Sequence, residues 1–369
     1  MAWFPWTRQR PWPITQETHH CCIVVSALQR RGIDCRWMSR VVSFLCESPL
    51  VVACNDYYLR VFDRFSNSML QEARYAESSD NVYHQKFNKS GNAIAVAYRQ
   101  GRLRVLVGQV NGPLKQSVNF KLGDDDLDEL AFQSNGSKMA ASPEFGPVYI
   151  LDLAEGALIR SLLLPRMRAG ITGVTWTSSG EVVAVGTEDY ILLYSPATGQ
   201  HLRTLMHDFF TIDSIYCLEF SPVHSNVLAV GCWCEVRILD AQVTQSTLAR
   251  VDTGDCASAR NLVWLPKGDG FVVEVWPYVS EHFFLHVIDA NNDNESWHCI
   301  VRFVLSLPME ACSIAVDIVG KSIVVAYRGL LLIVDAHVGA EIARHSLDDT
   351  YRVNDVAFLD VCCLVATTT

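Results

Sequence analysis

Hydrophobic and polar positions alternate along this chain in short runs separated by turn residues, the pattern of half-buried β-strands rather than of helices. From Ile171 to Pro196 it reads ITGVTWTSSGEVVAVGTEDYILLYSP: an alternating run, a Ser-Ser-Gly turn, a second run, a Glu-Asp turn and a third run. This predicts a three-stranded antiparallel meander. Aligned on Trp176, equivalent anchors fall at Phe44, Phe87, Phe132, Phe220, Trp264, Val316 and Phe358, with successive spacings of 43, 45, 44, 44, 44, 52 and 42 residues. Such a period marks a repeat architecture. Glycines four residues beyond the anchor, at Gly91, Gly136, Gly180, Gly268 and Gly320, fit a tight turn in each unit. Short Ala- and Val-rich strands follow, as in AIAVAY (Ala93 to Tyr98) and VLAVG (Val227 to Gly231). The spacing of 52 predicts an extended loop at Trp276 to Phe284 in the sixth unit.

Five units end their third strand with two apolar residues and an aspartate: Val61-Phe62-Asp63, Ile150-Leu151-Asp152, Ile238-Leu239-Asp240, Val287-Ile288-Asp289 and Ile333-Val334-Asp335. Over residues 21–369 the chain thereby resembles the WD-repeat family, whose unit is a four-stranded propeller blade. It departs from that family in two ways: Phe62, Leu151, Leu239, Ile288 and Val334 stand where tryptophan is usual, and no Gly-His dipeptide occurs. The resemblance therefore implies blades without the usual bracing hydrogen-bond tetrad. The expected fold is all-β, a β-propeller of four-stranded antiparallel blades. Eight anchors predict eight blades, and seven if one weak unit is not a blade. The last unit supplies two strands, Val353 to Phe358 and Cys363 to Thr368, and the runs Cys22 to Leu28 and Asp34 to Met38 are expected to complete its sheet and close the ring. Residues 1–20 form an extension outside this domain. A two-layer β-sandwich array is the competing architecture.

Composition narrows the function. Half of the 369 residues are hydrophobic and 19% are charged, so most of the chain packs. The net charge of −10 offers no broad basic face, which argues against duplex nucleic acid. Thirteen cysteines scattered through apolar runs, such as Cys54, Cys217 and Cys312, suit buried free thiols and a reducing compartment, cytoplasmic or nuclear. The N-terminus, MAWFPWTRQRPWP, has no continuous apolar signal region, and no run of 18 uncharged apolar residues exists. A transmembrane segment and a membrane partner are accordingly not expected.

Little in the sequence points to catalysis. His19, His20, Cys21 and Cys22, the pair Cys232 and Cys234, and Cys362-Cys363 are spaced too closely for tetrahedral zinc, so no metal is expected. Phosphate-cradling glycine loops, nucleophile elbows and HExxH spacings are missing, and neither an enzyme nor a cofactor is expected. Glu188-Asp189 and Asp348-Asp349 fall in expected turns. The loops between second and third strands each carry an aromatic: Tyr57, Tyr98, Phe145, Tyr190, Trp233, Tyr278 and Tyr327. With Arg99, Arg102 and Arg328 they form a candidate face for protein partners, the alternative being rings that cap the blade cores. The acidic run Asp124 to Glu129 and the basic Arg166 and Arg168 read as solvated loops or docking points. In the extension, Trp3, Trp6, Arg8, Arg10 and Trp12 form a candidate arm for a neighbouring subunit. Arg30-Arg31-Gly32 faintly resembles the arginine pair of phosphoinositide-binding propellers. The expected function is a protein–protein interaction scaffold within a multi-subunit assembly. The alternative is a propeller enzyme or small-ligand or phosphoinositide receptor.

Overall fold

Strands bounded by turns make up the whole of the regular structure among the described residues. The computed structural model describes residues 50–359, apart from 56–57, 64–68, 75–81, 108–114, 166–169, 206–213, 244–246, 255–256, 279–282, 294–295, 308–310 and 348–352 and single positions 90, 92, 189, 312, 318, 328. Its strands form seven four-stranded antiparallel sheets. The innermost strands are β4 (Val82–Phe87), β8 (Glu129–Phe132), β12 (Ile171–Trp176), β16 (Cys217–Phe220), β20 (Ala257–Trp264), β24 (Ser313–Val316) and β28 (Asp355–Leu359). Each touches the next, and β28 touches β4, so the ring closes into a seven-bladed β-propeller. Blades are numbered here from the sheet that contains β28.

Second strands β5 (Ala93–Tyr98), β13 (Val183–Thr187), β17 (Val227–Gly231) and β25 (Ser322–Tyr327) are buried along their entire length. Neighbouring blades cover both faces of these strands, which is why they read as unbroken apolar runs. The core is correspondingly divided among the interfaces between blades. One cluster joins Val227, Ala229 and Val236 of blade 5 to Trp264, Phe271 and Val273 of blade 6. The five turn glycines all adopt positive φ, between 68° and 73°. In each case the glycine N–H bonds to the carbonyl three residues back, as from Gly180 to Thr177 at 2.9 Å, closing the turn between first and second strands.

Seven blades rather than eight are present among the described residues because the strand that carries the last anchor, Phe358, enters the sheet of the first strands instead of starting a sheet of its own. β28, which carries Phe358, pairs with β1 (Leu50–Cys54) from Leu50↔Leu359 to Cys54↔Asp355. It thus occupies the innermost position of the blade continued by β2 (Tyr58–Asp63) and β3 (Met69–Arg74). The closure sheet takes one strand from the C-terminal side and three from the N-terminal side, not two from each. The expected partners at 22–28, 34–38 and 363–368, the anchor Phe44 and the 1–20 extension lie outside the described residues.

The insertion in the sixth unit is also placed differently from expectation. Trp276 lies in β21 (Gly270–Pro277), and Phe283 and Phe284 lie in β22 (Phe283–Asp293), which leaves a short connection. The extra residues instead lengthen the outer hairpin of β22 and β23 (Ser296–Leu307), eleven and twelve residues long. Pairing continues past Asp289 to Asp293↔Ser296, so adding ladder hydrogen bonds replaces an open loop.

Hydrogen bonds one repeat apart brace the inner strands in place of a tetrad. The Trp176 indole donates to the Ala131 carbonyl at 3.0 Å and the Trp264 indole to the Glu219 carbonyl at 2.9 Å. Backbone N–H groups of Trp264 and Phe220 donate to Glu219 Oε2 at 2.8 Å and to Thr175 Oγ1 at 3.4 Å. The aspartates that end third strands serve locally: Asp152, Asp240 and Asp335 each accept the backbone N–H two residues on, fixing the following turn.

Since Phe358 is 2% exposed within the cluster that joins blades 7 and 1, Phe358→Ala is expected to cost about 3 to 5 kcal/mol. Urea unfolding measures it, and a loss below about 1 kcal/mol would contradict closure through β28.

Candidate interaction site on the loop face

Blades 5 and 6 are joined at their upper rim by the short loop that follows β17. Gly231 makes the approach possible, because a Cβ there would sit 2.4 Å from the Ala259 carbonyl oxygen. Cys234 adopts φ 64°, a left-handed conformation unusual for a side-chain-bearing residue. In exchange its N–H donates to the Ala257 carbonyl at 2.6 Å, Ala259 N–H donates to Cys232 at 3.1 Å, and Trp233 bridges Ser258. These two backbone hydrogen bonds, which together make the Trp233–Ser258 bridge, fix Trp233 relative to β20.

A bulge in β20 then sets Arg260. Pairing with β21 shifts register between Arg260 and Val263, and Asn261 takes φ 46°. Glu274, fully buried, holds this distortion: its carboxylate accepts Asn261 Nδ2 at 2.7 Å and Ala311 N–H at 2.6 Å. Bulges re-aim side chains. Here the Arg260 guanidinium lies 4.2 Å above the centre of the Trp276 ring and 5.0 Å from that of Tyr216, while its Nε donates to Ser258 Oγ at 3.3 Å. Trp233 stands 6.5 Å from Tyr216 and 6.1 Å, edge-on, from Tyr278, which is 83% exposed. Trp276 is backed by Phe283 at 5.4 Å. Burial raises the Tyr216 phenol above its ordinary range, so it stays neutral.

The residues singled out from sequence are distributed unevenly. Trp233 and Tyr278 meet in this patch. Phe145 is 56% exposed elsewhere and Tyr190 is half-buried at a turn. Tyr98 and Tyr327 are buried and cap blade cores, and Arg102 and Arg104 lie over the Tyr98 ring at 5.6 and 5.2 Å. Arg99 pairs with Asp126 of its own chain and covers the Tyr83 ring at 4.4 Å. Asp128 accepts the Tyr83 hydroxyl at 2.6 Å, which together with burial pushes that phenol up to about 12. Much of the acidic run is thus engaged within the chain, with Lys121 on Asp124 at 2.9 Å. Tyr57, Arg328, Trp3, Trp6, Arg8, Arg10 and Trp12 lie outside the described residues. Tyr216, Arg260 and Trp276 were not singled out, because only the bulge and the join between blades assemble them.

A second group of charges converges on the central channel. Lys86, half-exposed on β4, lies 3.7 Å from Asp355, whose carboxylate is buried and accepts Phe87 N–H and Ser313 Oγ, both at 2.6 Å. Asp355 holds the Lys86 ammonium above its ordinary value against the cost of burial. Glu129 on β8 and Glu219 on β16 are both pushed up to about 7 by burial, with Lys86 opposing. His84 is lowered to about 4, first by burial and then by Lys86. Among the described residues, no three or more His, Cys, Asp or Glu side chains are grouped to hold a metal ion, and no helix is long and apolar enough to cross a membrane. Cys54 and Cys232 are buried thiols outside any disulfide, as expected, whereas Cys217 is only partly buried.

The raised carboxyls carry a signed consequence. Folding favours protonated Glu219, so its contribution to stability is fully present below the ordinary glutamate value and is lost as pH rises through about 7. Glu219→Gln keeps an acceptor for Trp264 N–H and removes that loss. Its melting temperature should exceed the parent's at about pH 8, with the gap closing by about pH 5. His84 titrates in parent and variant alike and cancels in the difference. A gap unchanged across this range would show that Glu219 does not titrate within it.

No protein-family model matches the chain. It is 20% identical over 235 residues to the human U3 small nucleolar RNA-associated protein 4 homolog, a stretch that covers 59% of this chain and 34% of that protein. The chain thus spans about a third of that relative's length. Among solved structures it is similar to the β-propeller domain of Cps50 (Swd1) from Myceliophteria thermophila, with TM-score 0.60, 12% identity and coverage of 75% of this chain and 88% of that one. A functionally unknown protein from Desulfotomaculum acetoxidans gives TM-score 0.65 at 10% identity, covering 84% and 99%. Hydrazine synthase from Kuenenia stuttgartiensis gives 0.54 at 13%, covering 74% and 88%. At these identities the structural neighbours speak to fold alone, and the neighbours include an enzyme. Taken with the closed ring of blades, these similarities establish the fold as a seven-bladed β-propeller, and the recurring apolar-apolar-Asp strand ends make the chain similar to WD-repeat proteins.

Proposed function

We propose that the chain is a non-catalytic platform that binds other proteins through its loop face as a subunit of a multi-protein assembly, in the cytoplasm or nucleus. The observation that carries this reading is the patch of Tyr216, Trp233, Arg260, Trp276 and Tyr278. Aromatic and arginine side chains already immobilised before binding lose little entropy when a partner arrives, the character of interface hot spots. Phe145 and Tyr190 supply further loop-face positions, Tyr98, Arg99 and Arg102 being taken up by burial and by contacts within the chain, and Arg328 and the N-terminal arm of Trp3, Trp6, Arg8, Arg10 and Trp12 are the remaining candidate contacts. The human relative is named for association with a small nucleolar RNA. A net charge of −10 favours reaching any such assembly through proteins rather than through RNA phosphates.

A small-ligand receptor is the second reading, and the charges gathered around Lys86 in the channel favour it.

The platform reading is tested by affinity purification of the full chain from native cells, parent beside a Trp233→Ser, Tyr278→Ser double variant. Stoichiometric co-purifying proteins are expected to fall at least about tenfold in the variant while its melting temperature holds. An unchanged set of co-purifying proteins would overturn the assignment of this face.

A further inference from the structure

The Arg260 guanidinium is held in place by every contact it makes, yet none of them neutralises it. Its Nε is engaged by Ser258, its faces lie against Trp276 and Tyr216, and it forms no ion pair among the described residues. This distinguishes it from Arg99, Arg60, Arg237, Arg302 and Arg344, each of which meets a carboxylate of its own chain. The nearby Trp276 indole N–H is buried and likewise finds no acceptor among the described residues. Two kinds of donor without acceptors therefore adjoin the exposed ring of Tyr278 and the half-buried ring of Trp233.

Energetically, such an arrangement is incomplete. Glu274 spends a buried carboxylate on the bulge at Asn261 instead of on Arg260, and the positive φ at Cys234 brings Trp233 to the same rim. Local backbone strain of this kind persists where the surrounding structure over-determines it, and it clusters at binding sites. A guanidinium with free Nη groups presents two parallel donors that match a carboxylate and bind it through a charge-assisted, bidentate pair. The rings beside it match an apolar side chain adjacent to that carboxylate.

Resting on the platform reading, we infer that the Arg260 site takes an internal Asp or Glu side chain of an extended peptide segment, with the neighbouring apolar side chain seated against Trp233 and Tyr278. The ligand is unphosphorylated: one carboxylate matches the single positive charge of the Arg260 guanidinium, whereas a phosphate brings about −1.5 to −2.

The test is a random displayed-peptide library selected on the full chain, followed by affinity measurement on the best synthetic peptide with both ends blocked. Selected peptides are expected to be enriched in Asp or Glu next to Leu, Ile or Phe. Exchanging the acid for its amide, or Arg260→Met in the protein, should each weaken binding about tenfold or more. Tyr278→Ser, at an exposed position, should weaken it with the melting temperature held. If Arg260→Met fails to fold, the acid-to-amide exchange on the parent protein carries the test by itself. Failure to select any peptide, enrichment without acids, tolerance of the amide exchange, or a requirement for phosphorylation would each overturn the inference. Loss of co-purifying proteins in the Trp233, Tyr278 double variant, with no acidic peptide selected, would retire the carboxylate ligand and leave the platform standing.

Discussion

Pairing of β28 with β1 is the interaction on which the rest of this molecule depends. A propeller is a row of sheets, each covering its neighbours, and an open row would leave two apolar faces wet. The C-terminal strand removes both by entering the first sheet, where Val51 and Phe358 join Val324 and Ile333 of blade 7 in one cluster. Asp355 secures the seam polarly. Its carboxylate reaches Ser313 on blade 7 and Phe87 on blade 2, so a single side chain links three consecutive blades. Leaving buried donors unmatched costs more than a formed hydrogen bond contributes, which gives this seam only one well-satisfied register.

The closed ring creates the conditions for a precise surface. Blade cores lie between sheets, so the loops at the rim inherit fixed positions from strands buried on both faces. At the join of blades 5 and 6 that precision is increased by the contact of Gly231 with Ala259 and by the bulge that Glu274 stabilises. Elsewhere on the same rim, charged and aromatic groups satisfy each other within the chain, as Arg99, Tyr83, Asp126 and Asp128 do. A rim residue's capacity for a partner follows from what its own fold leaves unmatched rather than from its type.

The sequence by itself determined the repeat, because the constraints behind it are local and recur: an anchor at the end of each inner strand, a glycine at positive φ four residues on, a small-residue second strand, and an aspartate closing the third. These made the blade and the all-β class legible. The count of blades was decided only by tertiary pairing. Phe44 and Phe358 carry equal local signals, and nothing near either one says which fills the inner position beside Val51. The surplus of the sixth unit was likewise visible as length, but whether it became a loop or a longer hairpin rested on the cross-strand register of β22 and β23. The candidate site shows the same division. Trp233 and Tyr278 stood out as loop aromatics, whereas Arg260 became notable only once a bulge, a buried glutamate and a ring from a different strand set it without a counter-charge. Local patterns encode which residues turn and which face inward; the pairing of distant groups decides which charges are left for others.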